Sequence, residues 1–493
     1  MERAELMNSS HSVINLRDSL EELYLSMKKK EDACSFLTEK VHPSQKASAA
    51  NLLHYLYLRS IDLGPLQQQL HLKGLSALTN AEGYVQSQLL NVLRHFEFED
   101  PDPVPCDYFS ADELITQRVN RLFEAKTRSV PSIMVTFKTS FAHDFIMVRK
   151  LLKAGMNVAR INCAHDDEKT WLQMVKAIRS ASSFTGLPCK IYMDLAGPKI
   201  RTKIKAKKNR IIVEEEDVIL LTEKEDIKSN LPVVECSLKG IVDQLKPGER
   251  IFFDDGLIET RMKAHHKDGA ELEVMQVSSK KPYLKAEKGI NFPDSRLRLS
   301  ALSDFDRRCL PFIKKYADMI GYSFIHNSPD LEELQEEMKG SSLPVVLKIE
   351  TPEAMRNLPS LFFTAMKEPI YGVMIARGDL AVELGFENVS KAQDEIIGLC
   401  RAAHAPVIYA TQILENLNKK GLPTRAEITD AAYGIWANCV MLNKGVHTAK
   451  VIKTLKAILQ EKARQVSRHH PVFRPLKLSK IFFESVSASD PTV

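Results

Sequence analysis

Two short strings of charged residues follow consecutive apolar runs, and their residue types suit chemistry on an anionic substrate. They are Lys348-Ile349-Glu350 and Ala376-Arg377-Gly378-Asp379. Residues two apart in a strand share a face, so Lys348 and Glu350 are expected to point the same way as Val346. If the two strands are neighbours in a parallel barrel, two carboxylates and an ammonium meet at its carboxyl-terminal rim. That combination suits a divalent metal beside an anion.

Eight apolar runs rich in β-branched residues recur along the chain, which is the number that a (β/α)₈ barrel needs. They are 133–135, 158–161, 191–194, 319–322, 345–347, 373–375, 407–409 and 440–442. Helical patterns separate most of these runs, as in the spacing of Trp171, Met174, Val175 and Ile178. The switch between strand and helix periods predicts an α/β fold.

Capping residues mark three of the helix starts. Asp144 is expected to cap the helix after the first run. Thr351 before Pro352 fits an N-cap followed by proline at the first helical position, and Thr424 with Glu427 fits a capping box. These signals place helices after predicted strands, as the barrel requires.

The long gap between the third and fourth runs has a different pattern. From about Lys203 to Asn291 the sequence shows short apolar stretches and turn pairs, with no helical period. The stretches are 211–213, 218–221, 251–253 and 272–274, and the turn pairs are 247–248, 255–256 and 268–269. This pattern predicts a small inserted β domain.

A Leu-rich segment with helical spacing precedes the barrel, from residue 10 to about 98, and an acidic, Pro-rich linker follows from Glu97 to Pro105. We expect a helical domain there and a disordered tail at the C terminus. The predicted division is an N-terminal helical domain with linker 1–126, the first part of the barrel 127–203, the inserted β domain 204–290, the second part of the barrel 291–470 and the C-terminal tail 471–493.

Composition sets the broad class. The 493 residues are 44% apolar and 27% charged, enough to bury a large core in two or three domains. A net charge of +5 over this length gives no reason to expect a nucleic-acid partner. The eight cysteines include no Cys-x-x-Cys pair, which is typical of reduced thiols in a cytoplasmic protein. No apolar stretch is long enough to predict a membrane span.

Residues from about 130 to 460 resemble pyruvate kinase. The inserted β domain falls where pyruvate kinases carry their lid, so the resemblance implies a TIM barrel with a small β-barrel lid domain. The ordered motifs that carry the resemblance are 155–162 with His165, Asp194 with 197–202, 254–258, 288–291, 348–350, 376–380, 410–412 and 423–427.

The resemblance implies transfer of a phosphoryl group from phosphoenolpyruvate to ADP, which gives pyruvate and ATP in glycolysis. Glu350 and Asp379 match the ligands of Mg²⁺ or Mn²⁺. Lys348 matches the lysine that neutralises the phosphoryl group and the developing enolate, and Arg160 matches the phosphate-binding arginine. Backbone amides of Gly378 and Asp379 match the groups that hold the substrate carboxylate. Thr411 matches the hydroxyl associated with proton delivery.

Other matches concern the nucleotide and a monovalent cation. Asn162, His165, Arg201 and Lys288 match positions on the nucleotide side. The family's K⁺ site retains Asn162 and Asp194, but its serine is Ala164 here and the nearby glutamate is Lys199. We therefore expect the Lys199 ammonium to replace K⁺, so that K⁺ is not required. The alternative is that Lys199 only pairs with a surface carboxylate.

Each site residue also has a purely structural explanation. Lys348 with Glu350 could be an ion pair at a barrel rim, and Arg160 could serve a core salt bridge. Thr411 could be a hydrogen-bonded strand end, and His165 a satisfied loop histidine. Two alternative functions follow. One is a non-catalytic regulatory protein that still binds metal and phosphoenolpyruvate or pyruvate. The other is an aldol lyase on the same barrel, against which the inserted lid argues.

Several segments depart from the family pattern. The loops after the first and eighth strands are Phe137-Lys138-Thr139-Ser140 and Asn443-Lys444-Gly445-Val446, both near the nucleotide side, and His326 replaces an arginine. We expect no counterpart of the usual C-terminal effector domain, and therefore no control by a sugar phosphate through such a domain. The extra N-terminal helical domain could replace the lost subunit interface in a homo-oligomer, or bind a protein partner.

Overall fold

The structure is a computed structural model that describes residues 16–124, 130–205, 210–278, 282–295, 297 and 299–466. The predicted C-terminal tail, 471–493, lies outside these residues. All eight cysteines are described, and none of them forms a disulfide. No helix in the described ranges is long and apolar enough to cross a lipid bilayer.

Helices precede the barrel, as the Leu-rich spacing predicts. The described part contains α1 (Leu16–Ala33), α2 (Ser35–Glu39), α3 (Lys46–Leu58), α4 (Gly64–Leu72), α5 (Val85–Leu93) and α6 (Tyr108–Phe123). A separate apolar core joins α1, α3, α4 and α5 through residues such as Leu20, Leu58, Leu70 and Leu89. The acidic linker leads into α6, a helix that we did not predict from the sequence.

The barrel is closed and entirely parallel. In chain order the strands of the described residues, barrel and inserted segment together, are β1 (Ser132–Thr136), β2 (Val158–Asn162), β3 (Lys190–Asp194), β4 (Thr202–Lys203), β5 (Arg210–Ile212), β6 (Val218–Thr222), β7 (Val233–Cys236), β8 (Arg250–Phe253), β9 (Ile258–His266), β10 (Gly269–Val277), β11 (Tyr283–Lys285), β12 (Ile290–Asn291), β13 (Met319–Tyr322), β14 (Val345–Ile349), β15 (Tyr371–Ala376), β16 (Val407–Ala410) and β17 (Cys439–Leu442). The barrel runs β1-β2-β3-β13-β14-β15-β16-β17 and closes on β1. The predicted (β/α)₈ barrel is confirmed.

Helices surround the barrel strands. They are α7 (Phe145–Ala154), α8 (Glu168–Thr185), α9 (Asp304–Tyr316), α10 (Ser328–Glu337), α11 (Pro352–Ala365), α12 (Arg377–Leu384), α13 (Val389–Ala402), α14 (Glu415–Lys420), α15 (Arg425–Tyr433) and α16 (Thr448–Ala463). The three predicted caps are confirmed. Asp144 accepts from the backbone of α7, Thr351 accepts from that of α11 with Pro352 in its first turn, and Thr424 and Glu427 form a capping box on α15.

The inserted segment between β3 and β13 forms a sheet of its own. Seven strands pair in the order β12-β8-β9-β10-β6-β7-β4, and β11 pairs with β5 beside them. Its core, which includes Ile219, Ile251, Phe253 and Leu272, is separate from that of the barrel. This nearly closed β structure fits the predicted lid domain.

Helix α6 closes one end of the barrel and so leaves the other end for a site. Its residues Leu122 and Phe123 pack with Val158 and Met319, which are the first residues of β2 and β13. The helix is also held by Arg118, whose guanidinium donates to the backbone oxygens of Ala403, His404 and Ser44 at 2.9–3.1 Å. The amino-terminal end of the barrel is therefore blocked by apolar packing.

Candidate active site

The carboxyl-terminal ends of β3, β13 and β14 converge on one buried ammonium. Lys348 Nζ lies 3.0 Å from Glu350 Oε1 and 3.3 Å from Asp194 Oδ2, and it donates to Ser323 Oγ at 2.5 Å. Val346, two residues before Lys348, belongs to the apolar cluster that fills the barrel. Strand alternation therefore turns Lys348 into the barrel mouth, as we expected from the sequence.

A second cation shares Asp194. Arg160 Nε donates to Asp194 Oδ2 at 3.0 Å, its Nη2 contacts the same oxygen, and its Nη1 donates to Thr136 Oγ1 at 3.1 Å. Tyr192 donates to the other oxygen, Asp194 Oδ1. Burial alone would raise the pKa of Asp194, but the charges of Lys348 and Arg160 outweigh it, and its pKa lies below the usual value. Asp194 is therefore an ionised anchor that orients two cations.

The two predicted metal ligands differ in their surroundings. Glu350 is buried, and its Oε2 accepts from the backbone N–H of Phe324 at 2.7 Å. Burial and the nearby charge of Asp379 raise the pKa of Glu350 despite the opposing effect of Lys348. Two carboxylates that repel each other in a buried site are a fitting donor set for a divalent cation, which would relieve that repulsion.

The donor set also fits a metal that shares its ligands with a substrate. Among the described residues, no group of three or more His, Cys, Asp and Glu side chains could hold an ion. Magnesium is usually held by one or two carboxylates, with substrate oxygens and water in the remaining positions. Glu350 and Asp379 therefore fit this mode of binding and would leave room for a substrate.

Lys199 lies where Asp379 can reach it. Its Nζ is 2.8 Å from Asp379 Oδ1, and this pair links the end of the third barrel unit to the start of α12. In the described part of the chain, no hydrogen bond or ion pair joins Lys199 to Asn162 or Asp194. Asn162 Oδ1 instead accepts from the backbone of Ala164 at 3.0 Å. The geometry thus places the lysine on the metal side of the mouth.

Gly378 and Thr411 face each other across the mouth. A Cβ at Gly378 would lie 3.6 Å from Thr411 Oγ1. That hydroxyl is buried without a hydrogen-bond partner among the described residues, and Thr411 has a left-handed φ of +72°. Gly378 and Asp379 also lie in the first turn of α12, where backbone N–H groups lack helical partners. Donors and an unpaired hydroxyl are therefore available to a bound anion.

Two of the predicted nucleotide-side residues, Arg201 and Lys288, contact residues of the lid. His165 follows β2, and burial together with the charges of Lys444 and Arg201 lowers the pKa of its imidazole. Arg201 donates to the backbone oxygen of Glu287 at 3.3 Å, and Lys288 Nζ lies 2.8 Å from Asp254 Oδ1 within the lid. These contacts hold both cationic side chains on the lid side of the mouth.

Three supporting residues were not assigned roles from the sequence. Ser323 accepts from Lys348 and donates to the backbone oxygen of Leu195 at 2.7 Å, so it bridges β13 and β3. Arg377 donates to the backbone oxygen of Thr411 at 2.7 Å and pairs with Asp430. The positive charge of Lys444 helps to lower the pKa of His165. Ser323 immediately follows a predicted strand and Arg377 lies two residues after another, and that position was the signal available.

Comparisons with known proteins agree with the barrel fold. The family model for the barrel domain of pyruvate kinase matches residues 130–452. A pyruvate kinase of Encephalitozoon cuniculi is 34% identical over 327 residues, which are 64% of this chain and 72% of the relative. That of Thermotoga maritima is 32% identical over 332 residues, 66% of this chain and 69% of the relative. Human pyruvate kinase PKLR is 32% identical over 349 residues, 67% of this chain and 59% of the relative. The matched segment contains all eight barrel strands and the inserted sheet, and the chain belongs to the pyruvate kinase family.

Proposed function

We propose that the chain transfers the phosphoryl group of phosphoenolpyruvate to ADP, giving pyruvate and ATP in glycolysis in the cytoplasm. The observation that carries this proposal is the buried ammonium of Lys348 between Asp194 and Glu350 at the open end of the barrel. Both the phosphoryl group and the enolate left behind are anionic, and fixed positive charge in a water-poor site stabilises such charge strongly.

The metal would be held by Glu350 and Asp379. Bound there, Mg²⁺ or Mn²⁺ would supply positive charge that stabilises an anionic substrate. The chain itself contributes the orientation of both carboxylates, since Glu350 is fixed by the Phe324 amide and Asp379 by the start of α12.

The remaining substrate contacts follow from the same mouth. Arg160 presents its guanidinium toward the phosphate while Asp194 holds it in place. The amides of Gly378 and Asp379 bind the substrate carboxylate. The Thr411 hydroxyl, which has no hydrogen-bond partner among the described residues, passes a proton to the enolate through water.

The nucleotide is assigned to Asn162, His165, Arg201 and Lys288, and this assignment is supported by the contacts of Arg201 and Lys288 with lid residues. Lys199 is the substitute for a monovalent cation, because its ammonium lies at the barrel mouth and can add positive charge next to the substrate phosphate. We also propose that the catalytic unit is a homo-oligomer.

A coupled assay for pyruvate tests the function. The purified chain is given Mg²⁺, phosphoenolpyruvate and, in turn, ADP, GDP, UDP and CDP. We expect pyruvate formation with at least one diphosphate. Saturable binding of Mn²⁺ and phosphoenolpyruvate without pyruvate formation would instead support the non-catalytic alternative, which the altered loops after β1 and β17 keep open.

A further inference from the structure

The Lys199 side chain lies at the hinge between the barrel and the lid. The lid segment leaves the barrel after β3 and returns through β12, and Arg201 forms a β-bridge with Gly289 between these two connections. A Cβ at Gly289 would lie only 3.2 Å from Lys199 Cε. The lysine stem therefore packs against the returning connection, and glycine provides the space for it.

The ammonium of Lys199 pairs with one carboxylate oxygen of a proposed metal ligand. Lys199 Nζ lies 2.8 Å from Asp379 Oδ1, and both side chains are about three-quarters buried. A divalent cation bound to either oxygen of Asp379 would come within a few ångströms of the ammonium. Repulsion between a double and a single positive charge at that distance is strong where water is scarce. Binding of the Lys199 ammonium and of a divalent metal to the Asp379 carboxylate at the same time is therefore unfavourable.

We propose that Lys199 is a built-in competitor of the divalent metal, one that pairs with Asp379 in the metal-free chain and must leave it when the metal binds. The inference rests on the proposed metal role of Asp379. It differs from the role of Lys199 as a substitute for K⁺, because it concerns the chain before any substrate is present.

The displaced ammonium has another carboxylate nearby. Besides Asp379 and Glu350, the charge of Asp255 in the lid acts on Lys199. An anionic substrate would offer a further partner. Metal binding should therefore be weak in the free protein and stronger once the substrate phosphate can receive the ammonium, which couples the two binding events.

Mn²⁺ titration of the full chain, followed by electron paramagnetic resonance, tests the proposal without any assay of turnover. In the absence of substrate, Lys199→Met should bind Mn²⁺ at least about tenfold more tightly than the unmodified protein. Lys199→Arg keeps the charge and should stay within about threefold of it. The matched control is Lys205→Met, which removes an exposed lysine that pairs with Asp226 in the lid.

Repeating the titrations with phosphoenolpyruvate gives a second readout. The factor by which the substrate tightens Mn²⁺ binding should be smaller in Lys199→Met than in the unmodified protein, because that variant has no ammonium to displace. Equal Mn²⁺ affinities of the two proteins without substrate would overturn the proposal. Failure of both proteins to bind Mn²⁺ would instead reject the metal site itself, so the two failures are distinguishable.

Discussion

Lys348 Nζ lies 3.3 Å from Asp194 Oδ2, and this contact joins the fifth barrel strand to the third across the strand between them. The intervening strand takes part through Ser323, which accepts from the same ammonium. Three strands thus hold the Lys348 ammonium in place. Folding therefore already orients this charge, and no further entropy is lost in orienting it when a substrate binds.

Removing that charge should abolish most of the activity. Lys348→Met keeps an unbranched apolar side chain but loses the ammonium, so turnover should fall by about 10²–10³ or more. The coupled pyruvate assay measures the loss. Lys391→Met, a change at an exposed lysine of α13, is the control and should leave turnover unchanged. Full activity of Lys348→Met would reject the role assigned to this residue.

Loss of a carboxylate charge should weaken the metal site. Glu350→Gln and Asp379→Asn keep side-chain volume but remove a charged ligand, so each should lower Mn²⁺ affinity by at least about tenfold. Electron paramagnetic resonance of free Mn²⁺ measures the change. Glu336→Gln, at an exposed surface position, serves as control. Titration curves that coincide with that of the unmodified protein would refute the ligand assignments.

The barrel and part of the site could be predicted because both depend on local periods. All eight apolar runs became barrel strands, and alternation within β14 placed Lys348 and Glu350 together. In the lid, β9 was missed although it is nine residues long, because it contains no continuous apolar run: its buried residues Ile258, Thr260 and Met262 alternate with charged ones. Helix α6 was also missed, although Val119, Leu122 and Phe123 have helical spacing.

Contacts between distant segments could not be predicted. The partner of Lys199 is set by how the hinge meets α12, 180 residues away in the chain. No local pattern encodes that distance. The same holds for Ser323, because its hydrogen bonds to Lys348 and Leu195 depend on the packing of two neighbouring strands. Residue types indicated which charges were present, whereas the fold decided which of them met.

Monovalent cations should have little effect on activity. If the Lys199 ammonium supplies the charge that K⁺ would otherwise provide, rates in K⁺ and in tetramethylammonium buffer of equal ionic strength should be nearly the same. Lys199→Glu should depress activity and make it respond to K⁺. Strong activation of the unmodified protein by K⁺, with no response to tetramethylammonium, would contradict this role.

The contact of α6 with the barrel should contribute substantially to stability. Arg118 is buried and satisfies three backbone oxygens, so Arg118→Ala leaves acceptors unpaired and should lower the free energy of unfolding by about 2–4 kcal/mol. Urea unfolding measures this free energy. Arg121→Ala, at an exposed position of the same helix, should change the free energy of unfolding by less than about 0.5 kcal/mol. Equal effects of the two substitutions would show that the α6 contact is not stabilising.

Glu383 should make stability depend on pH near neutrality. Glu383 is a partly buried residue of α12, its Oε1 accepts from Asn291 Nδ2 at 2.9 Å, and removal of its carboxyl from water raises the pKa from 4.5 to about 7. Below pH 4.5 the group is protonated in both folded and unfolded chains. Between pH 4.5 and 7 the unfolded chain ionises first, so stability falls as pH rises, and above pH 7 the loss is complete at about 3 kcal/mol.

Replacing this carboxyl by an amide should remove that loss. Glu383→Gln can still accept from Asn291, but it has no proton to release. It should therefore unfold at nearly the same urea concentration as the unmodified protein at pH 4.5, and be more stable by about 2–3 kcal/mol at pH 8. Glu387→Gln, an exposed position four residues further along and past the end of α12, is the control. A stability difference between Glu383→Gln and the unmodified protein that does not change from pH 4.5 to pH 8 would show that this carboxyl ionises equally readily in the folded and unfolded chains.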